Sequence, residues 1–177
     1  YARVIYTESH DEVANGKARV PQEVDPSDPQ GYWAQKRSTL GAGLVLTAPG
    51  IPMLFQGQEF VQDRYFRDDD PLDWSLRDEQ AGIVRLYRDL IHLRRNLAGS
   101  TRGLCGQFCE VFHVNEAANV LAWRRADVHG AGDDVVIVAN LSDATRGLYE
   151  IGVPAAGHWR VRFNSDARVY ADDFGDT

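Results

Sequence analysis

The amino-acid sequence predicts an α/β portion followed by an all-β portion. Up to about residue 100, short apolar runs rich in β-branched and aromatic residues alternate with segments of helical periodicity. Each apolar run ends in polar residues, as parallel strands do at the carboxyl edge of an α/β sheet. Further along, apolar residues recur at every second position, in short runs that turn residues separate. We therefore predict two domains, residues 1–100 and residues 101–177.

The first predicted strand covers residues 4–7 and ends in a cluster of titratable side chains. Residues 8–12, with the letters ESHDE, contain nothing apolar, and Gly16 permits a turn after them. Such a cluster at the end of a strand is typical of an active-site rim in an α/β fold. Three prolines among polar residues then indicate a long ordered loop over residues 20–31.

A helix and a second strand follow this loop. Apolar residues at near-helical spacing predict the helix over residues 32–47. Residues 51–56 predict a buried strand, because the one proline in this run stands near its beginning, where a missing N–H is tolerated. Gln58 and Glu59 repeat the polar ending of the first strand. Strand, helix and strand together predict a right-handed βαβ unit.

A second, amphipathic helix is predicted from residue 75 to about residue 97. Ser75 and Asp78 have the spacing of a capping box, and the apolar residues behind them follow the 3.6-residue period. The acidic run before this helix, residues 68–70, indicates a solvated loop tip. Helical periodicity ends at residues 97–106, where small residues cluster, so we place the domain boundary there.

Five short strands are predicted beyond this boundary. Turn segments separate them, among them a Gly-rich loop over residues 127–134, and this arrangement predicts an antiparallel β-sandwich. We also expect Trp33, Trp123 and Trp159 to lie in the core. The predicted strands are residues 108–114, 120–125, 135–141, 148–153 and 158–164.

Composition and charge disfavour several classes of function. The net charge of −7 argues against nucleic-acid binding, which needs a surplus of Lys and Arg. A membrane span needs about 18 consecutive apolar residues, and the sequence has no such run. Because the sequence starts with Tyr1 and carries no signal peptide, we expect a piece of a longer chain whose amino-terminal part is missing. Cys105 and Cys109 are too far apart to bridge if they lie on one strand, which favours free thiols and a reducing, cytoplasmic compartment.

Three motifs resemble the α-amylase family of glycoside hydrolases and transglycosylases. They are residues 6–11 (YTESHD), residues 49–60 (PGIPMLFQGQEF) and residues 71–74 (PLDW). The resemblance implies that residues 1–100 are the βαβα end of a TIM-type barrel, its seventh and eighth units, and that a small β domain follows. The continuation over residues 11–17 is most similar to bacterial α-glucan branching enzymes.

The resemblance also implies a catalytic site. In that family the Asp of a His-Asp pair holds hydroxyl groups of the distorted sugar, and the His beside it hydrogen-bonds the same sugar. Asp11 thereby takes a catalytic role and His10 a substrate-binding role. The nucleophile and the general acid of the family lie on earlier barrel strands, and the sequence contains neither motif, so we expect this piece alone to be inactive.

Other residues near the strand ends could contact a sugar. Trp74 lies in a polar loop, where its ring could stack on a sugar. Gln58 and Glu59 could contact a sugar or could make buried hydrogen bonds at the strand exit, and the sequence leaves both alternatives open. We expect no cofactor and no metal site, because three consecutive residues such as 10–12 rarely converge on one ion in an extended segment.

The sequence thus predicts the carboxy-terminal part of a retaining enzyme that acts on α-1,4-glucans. Its partners would be starch, glycogen or maltooligosaccharides, and its reaction the transfer of glucan segments to form branches. Hydrolysis of the same glucans, as by an α-amylase, is the first alternative. A non-catalytic carbohydrate-binding module is the alternative of another class, and an exposed row of coplanar aromatic side chains would support it.

Overall fold

Two short parallel strands, β1 (Val4–Ile5) and β2 (Ile51–Pro52), lie at the start of the computed structural model, which describes residues 3–15, 17–127 and 134–177. Both strands are shorter than the sequence predicts. The backbone bonds from Ile51 N to Arg3 O and from Met53 N to Ile5 O join the two segments. Gly16 and the interior of the Gly-rich loop, residues 128–133, lie outside the described residues.

Three helices connect β1 to β2. They are α1 (His10–Ala14), α2 (Val20–Val24) and α3 (Tyr32–Thr47). The predicted helix over residues 32–47 is confirmed at both ends. The prediction of a loop over residues 20–31 is wrong for its first part, because Pro21 stands in the first turn of α2, where a proline costs a helix no hydrogen bond.

The predicted helix after residue 75 is two helices, α4 (Ser75–Glu79) and α5 (Ala81–Arg94). The predicted capping box is also wrong. The carboxylate of Asp73 accepts from the backbone N–H of Ser75 at 3.1 Å and from its hydroxyl at 2.6 Å. Asp78 instead pairs with the neighbouring Arg77 at 3.0 Å. An acidic residue two positions earlier therefore serves the amino end of α4.

The second half of the chain contains a three-stranded antiparallel sheet. Its strands are β3 (Phe108–Asn115), β4 (Val120–Ala126) and β5 (Val135–Asn140), with β4 in the centre. Trp123 of β4 stands opposite Val111 of β3 and Ile137 of β5, and its ring is buried as predicted. Three of the five predicted strands are thus confirmed.

The other two predicted strands are wrong. Residues 148–153 and 158–164, both within the described part of the chain, have no strand conformation. Leu148 and Val161 are 87% and 83% exposed, so the alternating apolar side chains of these segments have no covering layer. In the described part of residues 101–177, the predicted sandwich is therefore a single three-stranded sheet. Trp33 and Trp159, predicted to be buried, are 47% and 41% exposed.

The main hydrophobic core lies between α3, α5 and the end of the chain. The aromatic rings of Tyr170 and Phe174 pack on these helices, and the Tyr170 hydroxyl donates to Asp89 of α5 at 2.9 Å. This core therefore draws residues from both sides of position 100, and the division into two domains stays a prediction. The buried members are Ala42, Leu46, Val61, Ile83, Leu86, Tyr87, Leu90, Tyr170 and Phe174.

Among the residues that the structure describes, no helix has the length and apolar character that crossing a membrane requires.

Candidate active site

The predicted catalytic pair lies at the amino end of helix α1. The side chain of Ser9 caps this helix by accepting from the N–H of Glu12 at 3.4 Å. His10 and Asp11 are therefore in the first helical turn rather than in an extended segment. Their side chains are 66% and 79% exposed, and His10 Nε2 lies 3.2 Å from Asp11 Oδ1. Both polar groups face solvent, where a ligand could reach them.

The exposed pair offers one carboxylate and one imidazole to a ligand. Within the described residues, no group of three His, Cys, Asp or Glu side chains is placed to hold a metal ion. An exposed carboxylate beside an imidazole can instead accept hydrogen bonds from hydroxyl groups while the imidazole donates or accepts one. That arrangement suits a neutral, hydroxyl-rich ligand such as a sugar.

A buried ion pair joins the two ends of the segment that carries the exposed pair. Arg19 Nη1 donates to Glu8 Oε2 at 3.1 Å, and both side chains are almost completely buried. The other carboxylate oxygen, Oε1, accepts from the N–H of Val20 at 2.8 Å. Burial raises the pKa of Glu8, although Val20 and Arg19 act in the opposite direction. Burial likewise lowers the pKa of the Arg19 guanidinium, against the attraction of Glu8.

Sequence reasoning missed this ion pair. In the sequence, Glu8 is one more polar residue at the strand end, and no motif distinguishes Arg19. The available signal was weak: two opposite charges flank a segment of about ten residues that must turn back on itself. Only the folded chain shows that the two ends meet and that both charges are enclosed.

Arg19 also joins this segment to the residues after β2. Its Nε donates to the carbonyl of Arg64 at 2.8 Å, and its Nη1 donates to the carbonyl of Gln56 at 3.0 Å. The guanidinium carbon lies 4.6 Å from the centre of the Phe55 ring. One side chain therefore fixes three parts of the chain relative to one another.

A row of ring contacts leads from Arg19 to the exposed histidine. The Phe55 ring packs edge-on against Phe66 with 5.5 Å between ring centres. Phe66 in turn meets the His10 ring at 6.4 Å, also edge-on. The His10 imidazole is thus connected to Arg19 through Phe66 and Phe55.

The side chain of Gln58 is buried, and Glu59 keeps part of its surface exposed to solvent. Gln58 is buried in a 3-10 turn, Gln58–Phe60, where its amide nitrogen donates to the Thr7 hydroxyl. Its amide oxygen accepts from the N–H of Phe55 at 3.1 Å. Of the two alternatives for Gln58, the contacts favour buried hydrogen bonds. Glu59 of the same turn is half-buried.

Trp74 is available for stacking. Its ring is 61% exposed and touches Phe60 at 5.6 Å between ring centres. The contact described for His10 is with Phe66, so the two exposed groups rest on different aromatic neighbours.

Known proteins resemble this chain in sequence over nearly its whole length. Residues 111–177 match the family model described as alpha amylase, C-terminal all-beta domain. A 1,4-alpha-glucan branching enzyme of Rhodopseudomonas palustris (strain BisB5) is 36% identical over 170 residues, which are 92% of this chain and 23% of that protein. One from Pseudomonas fluorescens (strain Pf0-1) is 36% identical over 173 residues, covering 96% of this chain and 23% of that protein.

Solved structures resemble the fold. A pullulanase from Anoxybacillus sp. LM18-11, complexed with maltotetraose, superposes with a TM-score of 0.60 at 22% identity, over 79% of this chain and 22% of that one. An alpha-amylase from H. orenii gives 0.54 at 18% identity, over 80% of this chain and 30% of that one.

These matches confirm the predicted resemblance to the α-amylase family, and with it the all-β character of the second part of the chain. Within that family, the relatives that match most of the chain are 1,4-alpha-glucan branching enzymes. The chain spans about a quarter of the length of these relatives.

Proposed function

We propose that this chain is the carboxy-terminal part of a retaining α-amylase-family enzyme that branches α-1,4-glucans. The observation that carries the proposal is the exposed His10–Asp11 pair on its buried support, in a chain that is 36% identical to branching enzymes over 92% of its length. Strands β1 and β2 would be the last two of a TIM-type barrel, and residues 101–177 the appended domain.

The role of Asp11 in this proposal is to hold sugar hydroxyls. A carboxylate that grips ring hydroxyls can favour the distorted ring and the positive charge of the oxocarbenium-like transition state. His10 would hydrogen-bond the same sugar, and Trp74 and Glu59 would contact neighbouring sugar units. Gln58 would position the strand exit rather than touch the glucan.

The remaining chemistry would come from the rest of the protein. The reaction needs a nucleophile and a general acid about 5 Å apart, and we assign both to residues outside this chain. The chain alone would then be inactive. With free Cys105 and Cys109 in the structure, we also propose a reducing, cytoplasmic location.

The test is the product formed from a linear glucan by the complete protein. Branching transfers a segment from an α-1,4 to an α-1,6 linkage, so α-1,6 linkages should accumulate with no increase in reducing ends. Hydrolysis would instead release one reducing end for every bond cleaved, and would support the α-amylase alternative. Glucan binding without either change would favour the carbohydrate-binding module and overturn the proposal.

A further inference from the structure

The segment that carries the exposed pair is closed at its base. We call residues 8–20 the α1 loop. Glu8 stands just before the capping residue Ser9, and Arg19 and Val20 stand where α2 begins. Both oxygens of Glu8 are used to join these ends, one to Arg19 at 3.1 Å and the other to the N–H of Val20 at 2.8 Å. His10 and Asp11 lie within the closed segment.

We propose that Glu8 and Arg19 are positioning residues, whose buried ion pair holds the α1 loop so that Asp11 and His10 meet a bound sugar at a fixed angle. The proposal rests on the function proposed above and deepens it. Neither residue touches the sugar in this proposal. Each acts through the pair that it carries.

Helix α1 cannot hold this geometry by itself. It has five residues, and isolated helices of that length are not stable in water. Val13 is the one buried residue of this helix, whose five residues are all described, so little apolar contact fixes the direction of the helix. The α1 loop therefore depends on its base for orientation.

The base is fixed to the residues that follow β2. Arg19 donates to the carbonyls of Gln56 and Arg64, which lie on either side of the 3-10 turn Gln58–Phe60. Its guanidinium also covers Phe55, and the contacts from Phe55 through Phe66 end at the His10 ring. The polar bonds therefore fix the base to residues 56 and 64, and the aromatic contacts link the buried pair to His10.

Stability alone is a poor reason for such a pair. Enclosing two charges costs solvation energy, and an apolar pair of similar volume often leaves a protein as stable or makes it more stable. An apolar pair could not reproduce the directional bonds from Arg19 to Gln56 and Arg64. The property lost on such a replacement would be orientation.

This difference defines the experiment. In the complete protein, the double variant Glu8→Gln/Arg19→Met removes both charges and keeps the side-chain volumes. We expect its melting temperature to fall, because the carbonyls of Gln56 and Arg64 lose their donor, so turnover is measured per folded molecule at a temperature where the variant is folded. We expect kcat per folded molecule on a linear glucan to fall about a hundredfold, the size of effect that a small displacement of a catalytic group produces. The matched control is Arg77→Met/Asp78→Asn, which removes an exposed ion pair and should leave kcat unchanged.

A double-mutant cycle with Asp11 distinguishes positioning from general damage. If the buried pair acts through Asp11, adding Glu8→Gln/Arg19→Met to an Asp11→Asn variant should lower kcat little further. Additive losses of kcat would overturn the positioning role, and so would wild-type kcat in the Glu8→Gln/Arg19→Met variant. In either case a low kcat of Asp11→Asn would still support the proposed function. If the wild type has no activity on glucans, or if Asp11→Asn keeps full turnover, the proposed function fails first, and this inference fails with it.

Discussion

Arg94 of α5 and Arg125 of β4 bind neighbouring carbonyl groups at the carboxyl end of helix α3. Arg94 donates to the carbonyls of Ala48, at 2.6 Å, and of Gly50. Arg125, which is completely buried, donates to the carbonyl of Thr47. The last carbonyls of a helix have no partner within it and carry partial negative charge, so two guanidinium groups satisfy them and oppose the helix dipole.

Replacement of Arg125 by methionine should strongly destabilise the chain. Beyond Thr47, this side chain donates to the carbonyls of Leu104, Gly106 and Phe108, all at 2.6 to 3.2 Å. Because the variant leaves these groups without their donor, we expect a loss of about 2–4 kcal/mol in the free energy of unfolding, measured by denaturant titration.

The control for this variant is Arg146→Met. Arg146 is exposed and donates to one carbonyl, that of Ala118, at 2.9 Å, so its replacement should change the stability by less than about 0.5 kcal/mol. Equal losses of stability in the two variants would show that the buried contacts of Arg125 contribute no more than the one contact of Arg146.

Asp11→Asn should abolish turnover without unfolding the protein. The change keeps the size of an exposed side chain and removes the charge that would stabilise a cationic transition state. In the complete protein we expect kcat to fall about a thousandfold or more, with KM and melting temperature little changed. His10→Ala should cost less, because it removes a neutral hydrogen bond. An Asp11→Asn protein that kept more than about a tenth of its turnover would exclude the catalytic role.

Gly82→Ala should displace the end of the chain from helix α5. A Cβ atom at this position would lie 1.9 Å from the carbonyl oxygen of Tyr170, which is closer than non-bonded atoms approach. We expect a lower melting temperature and faster amide exchange around residues 170–174. Gly43→Ala is the control, since a Cβ there meets nothing within 4 Å, and alanine should stabilise α3 by about 1 kcal/mol. If Gly82→Ala were as stable as this control, the close packing would be absent.

Asp166 should make the stability depend on pH. Burial acts to raise its pKa, but the Lys36 ammonium and the N–H groups of Gly175 and Thr177 outweigh burial, so the pKa lies below 3.8. Because the folded chain lowers this pKa, the contribution of Asp166 is present above about pH 3.8 and is lost as the pH falls through the lowered value.

The matched pair of variants for this test is Asp166→Asn and Asp173→Asn. Asp166→Asn should lower the melting temperature near neutral pH, and the gap to the wild type should close as the pH falls below about 3.8. Asp173 is exposed, so its variant should show no such gap. A gap that stayed constant across this range would show that the charge of Asp166 is not engaged.

Local signals account for the parts of the fold that were predicted correctly. Helix α3 has apolar residues at near-helical spacing and a proline just beyond its end, and strands β3 to β5 have alternation bounded by turn residues. Residues 148–153 show the same alternation but form no strand. Alternation reports which side chains are apolar, whereas a strand also needs a partner whose backbone can bond to it.

The candidate site likewise has one part that local sequence signals indicate and another part that depends on the folded chain. His10 and Asp11 could be proposed from the sequence because their motif is local, and their role in the site stays a prediction. The Glu8–Arg19 pair could not, because its members are neighbours only after the chain has turned back. The packing of Tyr170 against Gly82 depends on residues far apart in sequence and has no local signal at all.

The closed base of the α1 loop has a consequence for protein engineering. The bonds that close the segment are made by Glu8, Arg19 and Val20, so exposed residues between them, such as Asp11 and Ala14, take no part in the closure. A segment of equal length from another member of the family could therefore be transplanted between Glu8 and Arg19 as a unit. Such a chimaera should keep the bonds of Glu8 to Arg19 and Val20 while the exposed side chains between them change.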